Sequence, residues 1–156
     1  MTELTITVES APKPEEIRVL DEGLYAFNIA ATGHTDGGLF GIFLREAQGT
    51  VVGGANGWVW GGTCHVQFLF VPAQLRGLGH GSKLMAAVEA EARARACARI
   101  ILETYDYQAP AFYRRLGFVA VATIEEYVQG HRLSVLVKRL DDPPPSVGNL
   151  RPSPTP

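Results

Sequence analysis

A glycine-rich turn at residues 71–85 is the part of the sequence best suited to chemistry. Its sequence, VPAQLRGLGHGSKLM, passes from a strand-like segment through spaced glycines into a helix-like segment. Gly77, Gly79 and Gly81 allow positive φ and remove Cβ atoms, so successive backbone N–H groups can face one anion. A helix that begins near Gly81 adds unpaired amides and the positive end of its dipole. The turn therefore predicts a pyrophosphate site.

Two other phosphate-binding motifs do not fit this turn. A P-loop needs Gly-Lys-Ser/Thr, but the order here is Gly81-Ser82-Lys83. A dinucleotide fingerprint that starts at Gly77 would need glycine at position 82, which is serine. For the turn taken alone, an ordinary strand-to-helix connection without a ligand stays open as the alternative.

The surrounding sequence predicts the elements that hold the turn. Apolar periodicity predicts helices at 15–31, 82–96 and 109–116, and strands at 4–8, 39–45, 50–60, 63–71, 99–104, 118–123 and 133–140. Hairpin-linked strands come first and strand–helix units follow. This order predicts an α+β fold, a mixed and mostly antiparallel twisted sheet with helices on both faces.

Length and composition predict one domain with a tail. The chain has 156 residues, enough for a single core. From residue 141 to 156, six of sixteen residues are proline. We therefore expect one domain over 1–140 and a Pro-rich C-terminal tail over 141–156. The tail is either a passive extension or a docking arm for a second subunit.

Charge and cysteine content exclude several classes. The formal net charge of −2 does not suit a dedicated nucleic-acid binder. The sequence has no apolar run near the roughly 20 residues that span a bilayer, and its N-terminus resembles a strand more than a signal peptide. Cys64 and Cys97 have no partner at zinc spacing. We expect buried reduced thiols, no metal site and a cytoplasmic location.

Two motifs in this order resemble the GNAT family of N-acetyltransferases. Gln74, Gly77 and Gly79 match Gln/Arg-x-x-Gly-x-Gly/Ala of its motif A. AxxFYxxLGF at 109–118 is similar to its motif B, with Tyr113 at the tyrosine position. The predicted order of elements over 4–140 also resembles the family layout. The segments 107–110 and 130–131 further resemble a bacterial subgroup whose substrates are mostly unassigned.

The resemblance implies acetyl-CoA as the cofactor. Its pyrophosphate would bind the amides from Arg76 to Ser82, and its pantetheine arm would pair with the backbone of Leu69 to Val71. The amide of Leu69 or Val71 would polarise the acetyl carbonyl. The implied cofactor-binding residues are Leu69, Phe70, Val71, Arg76, Gly77, Leu78, Gly79, His80, Gly81, Ser82, Asp106, Ala109, Phe112 and Tyr113.

The resemblance also implies proton-transfer roles, one of which stays open. Tyr113 matches the family tyrosine and would protonate the leaving thiolate. Many relatives have an acidic base on the strand before the turn, where this sequence has Gln67. His65, two residues earlier on the same face of the strand, could act as the base through a water. Deprotonation by a solvent relay alone is favoured over it, because Gln67 occupies the place of the expected carboxylate. Asp106 lies where many relatives have an asparagine that contacts pantetheine.

The acceptor side is expected on the first helix, the loop after it and the last hairpin. Acidic side chains there, Asp36 among them, could attract a cationic amine. The candidate acceptor residues are Tyr25, Asn28, His34, Gln67, Tyr127 and His131.

The function that follows is transfer of the acetyl group of acetyl-CoA to a primary amine of a small molecule, by direct attack in a ternary complex. Two alternatives remain: acetylation of a protein N-terminus or lysine, and a catalytically silent acyl-CoA-binding module. Because dimers are frequent in the resembled family, a homodimer is also an expectation.

Overall fold

The computed structural model describes residues 4–140. The chain divides between Thr35 and Asp36 into two compact units. The Pro-rich tail expected from residue 141 lies outside the described residues.

The first unit contains helix α1 (Pro14–Thr32). Glu16 accepts a hydrogen bond from the Lys13 amide at 2.8 Å, and Gly33, with φ of 76°, donates to the Ile29 carbonyl and ends the helix. The prediction of this helix is confirmed. The predicted strand at 4–8 is wrong, because residues 4–9 have no regular secondary structure. Alternation supplies one apolar face, but a strand also needs a neighbour for its backbone groups.

Within residues 36–140, the second unit contains a sheet of six strands in the order β1-β2-β3-β4-β6-β5. Only β3 and β4 are parallel neighbours, and the other neighbouring pairs are antiparallel. The mixed, mostly antiparallel α+β class is therefore confirmed. The elements are β1 (Gly38–Arg45), β2 (Val51–Trp60), β3 (Thr63–Phe70), a 3-10 turn (Ala73–Leu75), α2 (His80–Ala94), β4 (Arg99–Tyr105), α3 (Pro110–Arg115), β5 (Val119–Val128) and β6 (His131–Arg139).

One core cluster joins α2 and α3 to the sheet. Helix α2 buries the apolar face that its periodicity predicts, with Val88 fully enclosed. Tyr113 brings α3 into the same cluster. The free thiols of Cys64 and Cys97 are also buried there, which confirms their expected burial.

The parallel pair β3 and β4 separates part of the way along. Pairing runs only from Thr63 beside Arg99 to Val66 beside Leu102. A β-bulge accompanies the separation, because the register shifts and leaves Gln67 without a partner on β2. Bulges bend the strand that carries them. Beyond this point β3 follows β2 and β4 follows β6, so a gap opens between them.

Candidate active site

The gap between β3 and β4 leads directly to the glycine turn. On the side that faces β4, the backbone of β3 has no strand partner after Val66. Unpaired backbone groups on a strand edge can bind an extended chain as an added strand. The stretch that the sequence proposes for such pairing, 69–71, begins on this free edge. The chain then enters the turn and α2.

Two glycines of the turn have the conformation that the sequence predicts. Gly77 has φ of 76° and Gly79 has φ of 81°. A Cβ atom at either position would meet no heavy atom within 4 Å. The glycines are therefore needed for the backbone conformation, and the space beside them is open.

Six consecutive amides in this turn are free to bind a ligand. From Gly77 to Ser82, no backbone N–H donates a hydrogen bond to any residue in 4–140. The first amide paired within the helix is that of Lys83, which donates to the Gly79 carbonyl at 3.1 Å. Free amides at the start of a 15-residue helix attract an anion through hydrogen bonds and the helix dipole.

Arg76 contributes differently from these six residues. Its amide already donates to the Ala73 carbonyl at 3.2 Å. Its guanidinium Nε donates to the Val71 carbonyl at 2.9 Å. The free amides therefore begin at Gly77, and the Arg76 side chain stabilises the path of the turn.

Gly81 differs from the expectation of positive φ. It lies inside α2, and a Cβ atom there would be 3.2 Å from the ζ carbon of Phe112. Gly81 is therefore glycine because α3 packs closely against the first turn of α2. Its own amide is still one of the six that lack a partner.

Tyr113 combines burial with an unpaired hydroxyl. Only 8% of the residue is exposed, and its ring contacts the rings of Phe112 and Phe118 edge to face. Its hydroxyl makes no hydrogen bond to another side chain or to the backbone among residues 4–140. Desolvation raises the pKa of Tyr113 above its usual value of 10.0. The phenol is therefore protonated at neutral pH and can donate that proton.

His65 packs in a way that favours a neutral ring. It pairs with Trp58 across β2 and β3, and the two rings meet edge to face with centroids 4.1 Å apart. Desolvation lowers the pKa of His65, although the charge of Glu103 acts in the opposite direction. The bulge at Gln67 interrupts the alternation on which a shared face for His65 and Gln67 was based.

Five polar and aromatic side chains meet where β4 ends. His131 Nδ1 lies 3.1 Å from Asp106 Oδ1, and the rings of His131 and Tyr107 meet edge to face at 4.8 Å. Tyr105 stacks on Tyr107 at 5.2 Å and contacts Tyr127 at 5.8 Å. We call this group the β4-end cluster. The sequence proposes Asp106, Tyr127 and His131 but misses the two tyrosines that flank Asp106.

The turn after β4 is fixed by its own hydrogen bonds. The Asp106 amide donates to the Arg132 carbonyl at 3.1 Å. Gln108 Oε1 accepts from the Tyr105 amide at 3.0 Å. These bonds define the path by which the chain leaves the gap and enters α3, which carries Tyr113.

Three candidate acceptor residues lie in the first unit. Tyr25 and Asn28 are on α1, and His34 follows it, with its amide bonded to Thr32 Oγ1 at 3.2 Å. Their roles remain predictions. Asp36, in the second unit, accepts a hydrogen bond from the Gly61 amide, whose nitrogen lies 3.2 and 3.1 Å from the two carboxylate oxygens, and its attraction of an amine stays a prediction. It stabilises the β2–β3 turn.

The structure has a surface cavity of about 330 Å³ that no sequence motif indicates. It lies over β1, β2 and β3 and has a largely apolar wall that includes Phe43, Phe68 and Phe70. Asn56 is also in that wall, and its Oδ1 is buried without a hydrogen-bond partner in the described residues. The glycines of β2 permit close strand approach here, since a Cβ on Gly54 would overlap the Ile42 carbonyl oxygen.

The described residues contain no group of three or more His, Cys, Asp or Glu side chains arranged to hold a metal ion. Among the same residues, no helix has the length and apolar character to cross a membrane.

Comparison with known proteins places the chain among acetyltransferases. Residues 4–118 match the acetyltransferase (GNAT) family. Acetyltransferase Atu2258 of Agrobacterium fabrum is 34% identical over 125 residues, which are 80% of this chain and 91% of that protein. Blasticidin-S acetyltransferase of Streptomyces morookaense is 43% identical over 106 residues, 65% of this chain and 76% of that protein.

The fold comparison agrees with the sequence comparison. A crystal structure from Agrobacterium tumefaciens, assigned to the acetyltransferases, superposes with a TM-score of 0.81 and 31% identity. The superposition covers 88% of this chain and all of that one. The family match includes both the glycine turn and the helix with Tyr113. The chain therefore belongs to the GNAT family of acetyltransferases.

Proposed function

We propose that the protein transfers the acetyl group of acetyl-CoA to a primary amine of a small molecule, by direct attack in a ternary complex. One observation carries this proposal: the six free amides of residues 77–82 follow the free edge of β3 after a connection of residues 71–76. A pyrophosphate ligand fits the amides, and an extended amide-containing arm fits the strand edge. The residues present thus suit coenzyme A.

Backbone groups would hold the cofactor. The amides from Gly77 to Ser82 bind the pyrophosphate, and the edge of β3 orients the pantetheine arm. When bound, acetyl-CoA supplies an activated thioester. The Leu69 or Val71 amide would serve as a hydrogen-bond donor to the thioester oxygen, because a fixed donor needs little reorganisation during the reaction.

Tyr113 would handle the proton on the thiol side. Its protonated phenol would donate a proton to the sulfur of the leaving thiol, and its buried ring limits the movement of the hydroxyl. General-acid help of this kind typically contributes on the order of 10²–10⁴ in rate.

A small-molecule acceptor is supported by the name of one relative. Blasticidin-S acetyltransferase shares 43% identity over 106 residues with this chain. The β4-end cluster offers exposed aromatic surface for such an acceptor, since Tyr107 and Tyr127 are each more than half exposed.

The decisive experiment measures free-thiol release from acetyl-CoA with blasticidin S, tyramine and a wider panel of primary amines, with mass spectrometry of the products. Acetylation of a small amine supports the proposal. Acetylation of peptide N-termini or lysines alone would instead indicate a protein acceptor. Tight acetyl-CoA binding by calorimetry without turnover on any acceptor would indicate a silent binding module.

A further inference from the structure

We infer that His131, oriented by Asp106, is the general base that removes the proton from the acceptor amine. The inference rests on the proposed function and assigns a role that the sequence leaves open. Its basis is the hydrogen bond between His131 Nδ1 and Asp106 Oδ1, at 3.1 Å, at the end of the strand that forms one wall of the gap.

The pair lies at the open end of the gap. β4 is free of β3 from Glu103 to Tyr105, and Asp106 is the next residue. His131 is the first residue of β6. The turn before it is fixed by Gly130, with φ of 77°, whose amide donates to Glu126 Oε2 at 2.9 Å. The imidazole is therefore carried by a defined hairpin.

Hydrogen bonding determines which nitrogen of His131 can act. Desolvation opposes ionisation of Asp106, yet the hydrogen bond from His131 and the backbone and charge of Arg132 lower the pKa of Asp106 overall. An ionised carboxylate only accepts hydrogen bonds, so Nδ1 must carry a proton and donate it. In the neutral ring Nε2 then holds the lone pair of a base.

The surroundings of the ring are mixed in charge. Asp106 and Tyr107 contact it directly, Arg132 follows it in the chain, and Glu126 caps the preceding turn. The side chain of His131 is 45% exposed, so Nε2 can meet an acceptor from solution. His65 is less suited, because burial lowers its pKa and its ring packs on Trp58.

The proton balance of the step is simple. One N–H bond of the ammonium breaks, its electron pair stays on the amine nitrogen, and an Nε2–H bond forms. The imidazolium is stabilised by the Asp106 carboxylate and then releases the proton to solvent. The neutral amine would attack the thioester carbonyl with that electron pair, and the C–S bond would break as the thiolate takes the proton of Tyr113. The second proton of the amine nitrogen would then pass through solvent to reprotonate Tyr113. His131 is thus a catalytic residue and Asp106 a positioning residue.

The kinetic test uses His131→Gln, Asp106→Asn, Asp106→Glu and His65→Gln, with tyramine and blasticidin S as acceptors. The inference predicts a fall in kcat of on the order of 10²–10⁴ for His131→Gln, with acetyl-CoA affinity unchanged by calorimetry. The acidic inflection of the kcat/KM pH profile should disappear in His131→Gln and persist in His65→Gln. Asp106→Asn should shift that inflection, and Asp106→Glu should restore part of the rate.

A second readout does not need turnover. In the ¹⁵N-labelled protein, NMR of the His131 ring should show a proton on Nδ1 at neutral pH, and Asp106→Asn should weaken that preference. A proton on Nε2 in the wild type would overturn the inference even if no acceptor were acetylated.

The outcomes separate this inference from the proposed function. If the wild type acetylates no amine, the proposed function fails. If it acetylates tyramine or blasticidin S while folded His131→Gln keeps both its rate and its inflection, only the base assignment fails. Rescue of His131→Ala by added imidazole would support the assignment further.

Discussion

Tyr113 has the two properties that an acid on a leaving group needs: a proton at neutral pH and no internal acceptor for it. Burial raises its pKa, and its hydroxyl is unpaired within residues 4–140. Tyr113→Phe keeps the ring that packs on Phe112 and Phe118. We expect kcat to fall by roughly 10²–10⁴ while acetyl-CoA affinity is unchanged, measured by pre-steady-state kinetics and calorimetry. If the rate of the chemical step were unchanged in Tyr113→Phe, the role of Tyr113 would be limited to packing.

Single residues also show where sequence reasoning reaches its limit. The positive φ of Gly77 and Gly79 is predictable, because spaced glycines between a strand and a helix are typical of a tight turn that needs this conformation. The role of Gly81 was not, since it depends on where Phe112 lies. The hydrogen bond of Asp36 could not be predicted for a similar reason, because its partner, the Gly61 amide, is 25 residues away in the sequence.

At the scale of elements, the glycine turn offers a matched pair of variants. Gly79 and Gly49 both have positive φ, and both have open space where a Cβ would be placed. Replacing either with Ala should cost about 1–2 kcal/mol of stability. Only Gly79→Ala distorts the free amides. It should therefore also raise the acetyl-CoA dissociation constant, on the order of tenfold or more, because one hydrogen bond from a backbone amide to the charged pyrophosphate weakens.

Calorimetry on both variants, with thermal unfolding measured in parallel, provides the check. Gly79→Val adds bulk at the same position and should weaken binding further. Equal acetyl-CoA affinity in folded Gly79→Ala and Gly49→Ala would argue against the pyrophosphate assignment.

A partly buried ion pair links α2 to β6. Lys138 Nζ lies 2.6 Å from Glu89 Oε2, and this hydrogen bond from Lys138 is the main cause that lowers the pKa of Glu89. Because the folded-state pKa is below the unfolded one, the stabilisation is present above the usual value of 4.5 and is lost as pH falls through the lowered pKa. We expect the Tm advantage of wild type over Glu89→Gln at pH 7 to shrink in acid.

The matched control for this pair is Glu125→Gln, on the exposed face of β5. Its Tm difference from wild type should stay small at every pH. If the Tm difference between wild type and Glu89→Gln persisted at a pH below both the folded and the unfolded pKa of Glu89, the assigned pH dependence would be wrong.

The elements themselves were predictable to different degrees. Helices α1 and α2 are predicted by apolar periodicity and by the residues that end them. The apolar face predicted for α2 is buried in the structure. The segment 4–8 alternates as a strand does but has no strand partner. The separation of β3 from β4 is accompanied by a bulge at Gln67, and a bulge is a property of two paired strands that one strand's sequence does not reveal.

At the scale of the whole molecule, the reactivity of the two buried thiols, Cys64 and Cys97, measures global unfolding of the second unit. Burial, with a smaller contribution from Cys97, raises the pKa of Cys64 to about 12, and burial also raises the pKa of Cys97. Thiolates are the reactive species, so alkylation of the native protein at pH 8 should be slow. In increasing urea, labelling should follow the loss of circular dichroism. Fast labelling of either cysteine before that transition would reveal local opening of the core.

The six free amides also have a consequence for turnover inside a cell. Under the proposed function, they recognise the pyrophosphate, which is the part of the cofactor that the reaction leaves unchanged. Free coenzyme A and acetyl-CoA would therefore compete for the same pyrophosphate site with nearly equal affinity. The enzyme would respond to the ratio of acetylated to free coenzyme A, and so to the metabolic supply of acetyl groups, more than to the concentration of acetyl-CoA alone.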